Sequence, residues 1–210
     1  MVSKISDKKE KLPEIYSDFE NSGSEYKKSA ACKIGCAYCC IYVGNVDITT
    51  MEGIVILNRM NTFEKKLKSR IKKKIDQNKA ERERGILAKC AFLKEDNTCR
   101  IYDIRPFSCR RIYSIKQCNQ NQPVVHRQAI ELADYTISKM QQIDDTGYSG
   151  HMSFILYLLE KTGFRKAYLT GKFNPGKIMN FGKGHGIIIN RFVKPKSLSF
   201  NNNLGLSNLF

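Results

Sequence analysis

The stretch that decides the fold is CKIGCAYCC, residues 32–40, in which four cysteines follow the pattern Cys-x3-Cys-x2-Cys-Cys. Three thiolates in so short a segment can converge only if the backbone wraps around a central object. Gly35 helps because a glycine relaxes the backbone between two of the cysteines. Closely spaced cysteines of this kind hold iron–sulfur clusters, and a tetrahedral zinc site could also use several of them. We therefore take Cys32, Cys36, Cys39 and Cys40 as candidate metal ligands.

Four further cysteines lie downstream at an almost regular spacing. They are Cys90, Cys99, Cys109 and Cys118. This spacing is too wide for zinc knuckles, which use Cys-x2–4-Cys, and spacing that short occurs only within the first run, as in Cys36-Ala-Tyr-Cys39. We interpret all eight cysteines as metal ligands rather than as buried free thiols that pack as small hydrophobes. We predict one 4Fe–4S-type cluster that draws ligands from both groups, with two four-thiolate sites, including zinc sites, as the alternative.

The adjacent pair of cysteines bears on the number of sites. Cys39 and Cys40 point in different directions where the backbone is locally extended. One of the two could therefore serve a second site, or lie behind the ligands of the first. Iron is preferred over zinc because a close run of cysteines suits a cluster, whereas the paired knuckles typical of zinc are missing.

The composition indicates an intracellular protein with acidic partners. The 210 residues carry a formal net charge of +16, which favours an acidic protein surface or a nucleic acid as partner. The N-terminus MVSKISDKKEKLPEIY lacks the apolar segment of a signal peptide. The longest apolar run, residues 154–159, is far short of the roughly 20 residues that a membrane helix needs. We expect a cytoplasmic protein without a membrane span, and in a reducing cytosol clustered cysteines favour metal over disulfides.

The sequence predicts an α-rich fold: a small helical domain around a cysteine-bound, loop-rich metal core, with a basic C-terminal extension. Thr49 and Glu52 match a capping box, in which two side chains satisfy free backbone N–H groups at a helix start. Apolar periodicity predicts four helices, the last of them apolar nearly all round and therefore central. These helices cover about 49–60, 63–84, 126–142 and 150–161. A short extended segment is expected over 40–46 and a strand over 187–193.

Changes in composition divide the chain into four parts. Residues 1–28 indicate a mobile N-terminal arm, and 29–120 the cysteine-cluster metal-binding domain. Residues 121–165 are expected to form a helical cover of the same domain. Residues 166–210 form the predicted basic extension, which is rich in Gly and Asn; its end is expected to fray.

With both cysteine groups in view, the chain resembles the YkgJ-type cysteine-cluster family, whose domain is described as zinc- or iron-chelating. One family hallmark is the Cys-x3-Cys-x2-Cys-Cys run already quoted. The other appears here as Cys90-Ala-Phe-Leu, Cys99-Arg-Ile-Tyr and Arg105-Pro-Phe-Ser-Cys-Arg. The match covers about residues 30–120. The resemblance implies a metal-binding domain, and it also brings in flagellin lysine methylases, which carry this domain and use an iron–sulfur cluster and S-adenosylmethionine.

The residues that flank the second cysteine group are further candidates. Arg105, Arg110 and Tyr102 are the candidate cofactor-binding side chains. The two arginines, with Arg111, could donate hydrogen bonds to thiolate sulfurs and offset their charge. Pro106 pushes Arg105 towards an extended conformation and would aim the loop before Cys109. The apolar residues of the second hallmark are interpreted as core that keeps water off the metal, in preference to substrate contacts. They are Phe92, Leu93, Ile101 and Tyr102.

Several functions are open on the sequence alone. The first is an accessory or sensor role for a structural or redox-active metal centre. The second is a protein-modifying enzyme that resembles flagellin lysine N-methylase and uses S-adenosylmethionine. The third is a zinc-stabilised nucleic-acid-binding protein whose basic segments, 63–84 and 161–196, contact phosphates. The first three cysteines also match the signature of radical S-adenosylmethionine enzymes, but the alternating strands and helices of that fold are not apparent.

Overall fold

The structure of the protein is a computed structural model that describes residues 5–33, 35–118 and 122–198. It confirms the α-rich fold, in which helices surround a small antiparallel sheet. The α-helices are α1 (Ile5–Ser22), α2 (Ser24–Lys27), α3 (Thr50–Asn61), α4 (Lys65–Glu83), α5 (Phe107–Arg111), α6 (Arg127–Ile143), α7 (Met152–Glu160), α8 (Thr162–Leu169) and α9 (Met179–His185). The strands β1 (Asp47–Thr49), β2 (Tyr148–His151) and β3 (Ile188–Ile189) pair in that order. A π-helix covers Cys39–Val43, and single 3-10 turns cover Tyr102–Ile104, Pro175–Ile178 and Asn190–Phe192.

Helix α7 is the central element of the fold, as its apolar sequence predicts. It packs against α3, α4 and α8, and Ile155 and Leu159 are fully buried. The four predicted helices correspond to α3, α4, α6 and α7, each within a few residues of the predicted bounds. A helix that is apolar on all sides must be covered on all sides, and this requirement places α7 at the centre of the fold.

The predicted capping box does more than start a helix. Thr49 accepts a hydrogen bond from the backbone N–H of Glu52, whose carboxylate accepts one from the backbone N–H of Thr49. The same buried carboxylate also accepts hydrogen bonds from the Tyr16 hydroxyl, at 2.8 Å, and the Phe107 backbone N–H, at 2.7 Å. Glu52 therefore ties α1 and α5 to the start of α3, and α5 carries Cys109.

The N-terminal segment differs from the predicted mobile arm. Residues 5–22 form α1, which packs against α3 and α6. Leu12, Ile15 and Phe19 lie at helical spacing and are each at most 4% exposed. Their burial against Met51 and Leu132 holds the helix on the domain. The high polarity of residues 1–28 hid this narrow apolar stripe, which is enough to dock one face of a helix.

Two segments predicted as extended are mainly helical. The predicted extended segment 40–46 begins instead with the π-helix Cys39–Val43, which ends at Gly44 with a left-handed φ of 63°. The predicted strand 187–193 is reduced to β3 and a following 3-10 turn. A wide π turn accommodates the adjacent cysteines better than a strand because it turns the chain back towards the second cysteine group; such turns are frequent at functional sites.

A buried carboxylate joins distant parts of the fold. Asp144 follows α6 and is 0% exposed. It accepts hydrogen bonds from the Tyr168 hydroxyl at 2.6 Å, from the Met51 backbone N–H at 3.2 Å and from the Asn190 side-chain amide at 3.2 Å. Burial raises the pKa of Asp144 to about 7, although the hydrogen bonds from Tyr168 and Met51 oppose the shift. The turn after α6 is thereby fixed to α3, α8 and the segment after β3.

Part of the C-terminal segment belongs to the core. Tyr168, Phe173 and Ile178 are buried and lie in the main hydrophobic cluster with α7. The four-part division of the chain stays a prediction. Of the end expected to fray, 197–210, all but the first two residues lie outside the described residues. No helix in the described part of the chain is long and apolar enough to cross a membrane.

Candidate metal centre

The first cysteine run is shaped by a tight turn followed by the π-helix. The backbone N–H of Cys36 donates to the carbonyl of Lys33 at 2.9 Å. Gly35 adopts a φ of +86°, a conformation that side chains other than glycine rarely adopt. Cys39 and Cys40 open the π-helix. As a result, Cys32 and Cys36 are exposed, whereas the adjacent pair is half-buried.

The two cysteine segments meet through their backbones. The N–H of Cys90 donates to the carbonyl of Cys40 at 2.8 Å. A short hairpin follows, in which Leu93 pairs with Cys99, and the N–H of Lys94 donates to the carbonyl of Thr98 at 2.9 Å. Its tip, Asn97, takes a left-handed φ of 62°, which asparagine tolerates. The hairpin brings the thiols of Cys90 and Cys99 near each other and near the thiol of Cys40.

Cys109 is positioned by the start of α5. Pro106 precedes the helix with a φ of −67°, and Arg105 is extended with a ψ of 138°, as the proline predicts. The N–H of Cys109 donates to the carbonyl of Pro106 at 2.9 Å. Because Phe107 is held by Glu52, the capping box of α3 also fixes the position of Cys109.

Cys118 lies with the first cysteine run, not with its neighbours in sequence. The N–H of Ala31 donates to the carbonyl of Ser114 at 2.7 Å, and the N–H of Ser114 donates to Sγ of Cys32 at 3.3 Å. Cys32, Cys36 and Cys118 border the same cavity of about 470 Å³. The chain after α5 therefore returns to the beginning of the cysteine run.

Electrostatic coupling identifies the first set of thiols. The pKa of Cys39 is raised to about 12, mainly by burial and then by the thiols of Cys118, Cys32, Cys40 and Cys36, in that order. Such coupling requires that the sulfurs lie near one another. We call Cys32, Cys36, Cys39 and Cys118 the outer thiol group, since it contains the two exposed cysteines.

A second set couples in the same way around Cys109. Burial raises the pKa of Cys109 well above its usual range, and Cys90, Cys40 and Cys99 add to the shift. Burial also raises the pKa of Cys90 to about 12, with Cys40 and Cys99 contributing in the same direction. We call Cys40, Cys90, Cys99 and Cys109 the inner thiol group. The adjacent Cys39 and Cys40 thus belong to different groups. The thiol of Cys36, in the outer thiol group, also contributes to the raised pKa of Cys40, after burial and Cys99.

Backbone N–H groups already point at two sulfurs of the inner thiol group. Cys90 accepts hydrogen bonds from the N–H groups of Phe92 and Leu93, and Cys99 accepts one from Ile101, and each bond lowers the pKa of its thiol. Hydrogen bonds to the charged form of a group stabilise that form. The loop therefore offers partial compensation for thiolate charge before any metal binds.

The chemistry of the donors suits a metal, although the sulfurs are not yet arranged around one. In the described ranges, no three His, Cys, Asp or Glu side chains stand where they could hold a single metal ion. Each group nevertheless offers four cysteines, which would repel one another if all four were ionised to thiolates. A bound cation removes that repulsion, since thiolates are the metal-binding form of cysteine.

The predicted cofactor-binding side chains have different surroundings. Arg105 stacks over the Tyr102 ring, with its guanidinium carbon 4.2 Å from the ring centre. Burial raises the pKa of Cys99 and Cys109, and the charge of Arg105 opposes that rise. Arg110 is engaged by the carbonyl of Arg105 at 3.0 Å and the carboxylate of Glu20 at 2.9 Å. Arg105 thus lies near the inner thiol group, whereas Arg110 braces the loop against α1.

Tyr102 corrects the prediction that all four apolar residues of the second hallmark are core. It is 62% exposed, while Phe92 and Ile101 are at most 2% exposed. Tyr102 begins a single 3-10 turn at the surface, and Arg105 covers one face of its ring. Leu93 is partly buried.

Sequence reasoning did not detect several residues around the cysteines. No sequence motif pointed to Ser114, which contacts Cys32. The same is true of the two lysines that line the cavity, Lys33 and Lys116. Only one feature of the sequence indicated that the thiols form two groups, namely the adjacent Cys39 and Cys40. In any regular helix, consecutive side chains leave the backbone in different directions, so that neighbouring cysteines reach different places.

One known family matches the part of the chain that contains the cysteines. Residues 31–125 match a family model named CxxCxxCC and described as a "putative zinc- or iron-chelating domain". No curated protein and no solved structure matches the chain. The matched segment contains all eight cysteines, which supports metal binding as the property of this segment. Residues 31–125 thus match the model of the CxxCxxCC family of zinc- or iron-chelating domains, the cysteine-cluster family that the sequence resembles.

Proposed function

We propose that this protein binds two metal centres, one in the outer thiol group and one in the inner thiol group, and that it acts as an accessory or sensor metalloprotein. Each centre takes four thiolates, drawn from both cysteine segments. The outer centre takes three thiolates from the first run together with Cys118. The inner centre takes Cys40 together with the three remaining cysteines of the second segment. The two-site alternative thereby replaces the single shared cluster as the preferred hypothesis.

The division of the adjacent cysteines carries this proposal. After burial, the thiol of Cys118 contributes most to the raised pKa of Cys39, whereas those of Cys90, Cys40 and Cys99 contribute to the raised pKa of Cys109. The backbone hydrogen bond between Cys90 and Cys40 supports the same grouping independently of any charge. A single cluster of four thiolates would leave four of the eight cysteines without a role.

Iron–sulfur clusters remain the favoured centres, with zinc as the alternative. The outer thiol group combines a close Cys-x3-Cys-x2-Cys run with one remote cysteine, which resembles the way ferredoxin-type clusters are held. A cluster would supply electron transfer or redox sensing, and zinc would supply structural cross-linking of loops. In either case this chain contributes the thiolates, the N–H groups that face Cys90 and Cys99, and the charge of Arg105.

The experiment that tests the proposal is metal and sulfide analysis of the chain purified under anaerobic conditions. We expect two centres per chain, counted as two iron–sulfur clusters with absorption near ~400 nm or as two zinc ions in a colourless protein. Absorption and sulfide content decide between iron and zinc. One centre per chain would restore the single shared cluster, and a chain purified without metal that also fails to take up iron or zinc would contradict the proposal altogether.

A further inference from the structure

The two thiol groups differ in their access to solvent. Cys90 and Cys99 pack against the main hydrophobic cluster, beside fully buried Phe92 and Ile101. Cys32 and Cys36 are exposed. A metal held by the inner thiol group would be covered by core side chains, whereas one held by the outer thiol group would face solvent. The two centres would therefore differ in what can reach them.

The cavity beside the outer thiol group is larger than a metal centre requires. Its volume of about 470 Å³ lies within the roughly 300–1,000 Å³ of small-molecule sites. A zinc ion occupies a small part of it. An iron–sulfur cube of eight atoms, at roughly 30 Å³ for each water-sized atom, would fill about half. Either centre leaves room for a second, small ligand.

The charge of the cavity wall selects anions. Lys33 and Lys116 line it, and no acidic residue does so among the described residues. Asn97 and Gln117 add side-chain amides that donate hydrogen bonds. Two ammonium groups without a carboxylate beside them attract a carboxylate or a phosphate, the two common anionic groups of small molecules.

Part of the cavity lining is aromatic. The rings of Tyr38 and Tyr42 lie 4.9 Å apart, and both line the cavity with Ile41. Tyr42 remains 56% exposed, so one ring is available to a ligand. A wall of this kind contacts the apolar part of a small molecule while the lysines hold its charge.

We propose that the outer thiol group is the reactive centre of the protein and that its cavity admits a small anionic ligand, bearing a carboxylate or a phosphate, to the bound metal. The inner thiol group holds its metal as a structural element that such ligands do not reach. This inference rests on the proposed function, because it assigns different roles to the two centres.

The test is the rate at which two chelators remove metal from the metal-loaded protein. EDTA is a carboxylate anion, and 1,10-phenanthroline is neutral. We expect EDTA to remove half of the metal in a fast phase, and the Cys118→Ser variant to lack that phase. In a Lys33→Ala/Lys116→Ala variant, the fast phase with EDTA should slow roughly two- to fivefold per lysine, the range expected for exposed charge pairs. The rate with phenanthroline should not change.

The matched control is a Lys73→Ala/Lys74→Ala variant, which removes the same charge from exposed positions on α4. This control should leave both chelators unaffected. Inorganic phosphate and acetate, added at equal ionic strength, should compete with EDTA, and the stronger competitor identifies the preferred anion. The inference is overturned if all the metal leaves at one rate, if neither anion competes, or if the α4 variant slows EDTA as much as the cavity variant. A chain with a single centre contradicts the proposed function instead.

Discussion

Cys40 has the most consequential position of any single residue in this protein. It follows Cys39 directly, yet its carbonyl receives the N–H of Cys90 and its thiol couples with that of Cys99. The pKa of Cys39, in contrast, is raised by burial and then most by the thiol of Cys118, followed by that of Cys32. One peptide bond thus separates the two proposed centres, and this explains why the family pattern ends in two consecutive cysteines.

Asp144 gives a prediction about pH at the residue scale. Its pKa rises from 3.8 in the unfolded chain to about 7 in the folded protein, so the folded state holds the proton more tightly. The resulting stabilisation is complete below about pH 4 and is lost as the pH rises towards 7. Asn at this position does not titrate. The destabilisation caused by Asp144→Asn should therefore be larger at pH 4 than at pH 7.5, by about 2–4 kcal/mol.

Chemical denaturation of both proteins at several pH values measures this difference, and loss of metal at low pH, which affects both, largely cancels. Gln142→Ala, at an exposed position on α6, is the control: it removes no titratable group, and its effect on stability should not vary with pH. A destabilisation by Asp144→Asn that is constant, or that grows with pH, would show that this carboxyl is ionised throughout the range.

At the scale of elements, helix α1 holds the start of the metal-binding domain in place. Phe19 is 2% exposed and meets Phe107 edge to face, with ring centres 4.7 Å apart. Phe107 opens α5, which carries Cys109. The polar N-terminal segment is thereby linked to the inner thiol group through one aromatic pair and through the hydrogen bond from Tyr16 to Glu52.

The packing of α1 predicts the effect of removing this ring. Phe19→Ala should lower the free energy of unfolding by about 3 kcal/mol, since it combines lost burial with a cavity. Glu14→Ala, at an exposed position on the same helix, should change it by less than about 0.5 kcal/mol. Denaturant titration measures both. Equal, small effects of the two substitutions would mean that residues 5–22 are the mobile arm that their composition suggests.

The helices that the sequence predicts well have clear apolar repeats. Thr49 and Glu52 mark the start of α3, and the continuous apolar face of α7 marks a central helix. The π-helix at Cys39–Val43 and short β3 were not predictable, because their form depends on contacts with distant residues. Helix α1 was missed for a different reason: its three buried apolar residues are separated by many charged residues, so that the apolar repeat is weak.

At the scale of the whole molecule, the sequence predicts the ligands but not their partition. The cysteines, their order and the metal class follow from residues 32–118 alone. Which thiol joins which centre depends on how the chain folds back: Ser114 meets Ala31 and Cys32, and Cys90 meets Cys40. These contacts span up to 83 residues of chain, since they join positions 31 and 114. No local pattern encodes them.

The most direct test of two separate centres is the metal content of two serine variants. Cys118→Ser removes a ligand of the outer thiol group, and Cys109→Ser removes one of the inner thiol group. Each variant should keep about half of the metal of the native chain, because the other set of four thiolates is intact. Cys118→Ser should also keep most of its thermal stability, since its inner thiol group still cross-links the core. Complete loss of metal in both variants, or full retention in either, would contradict the account.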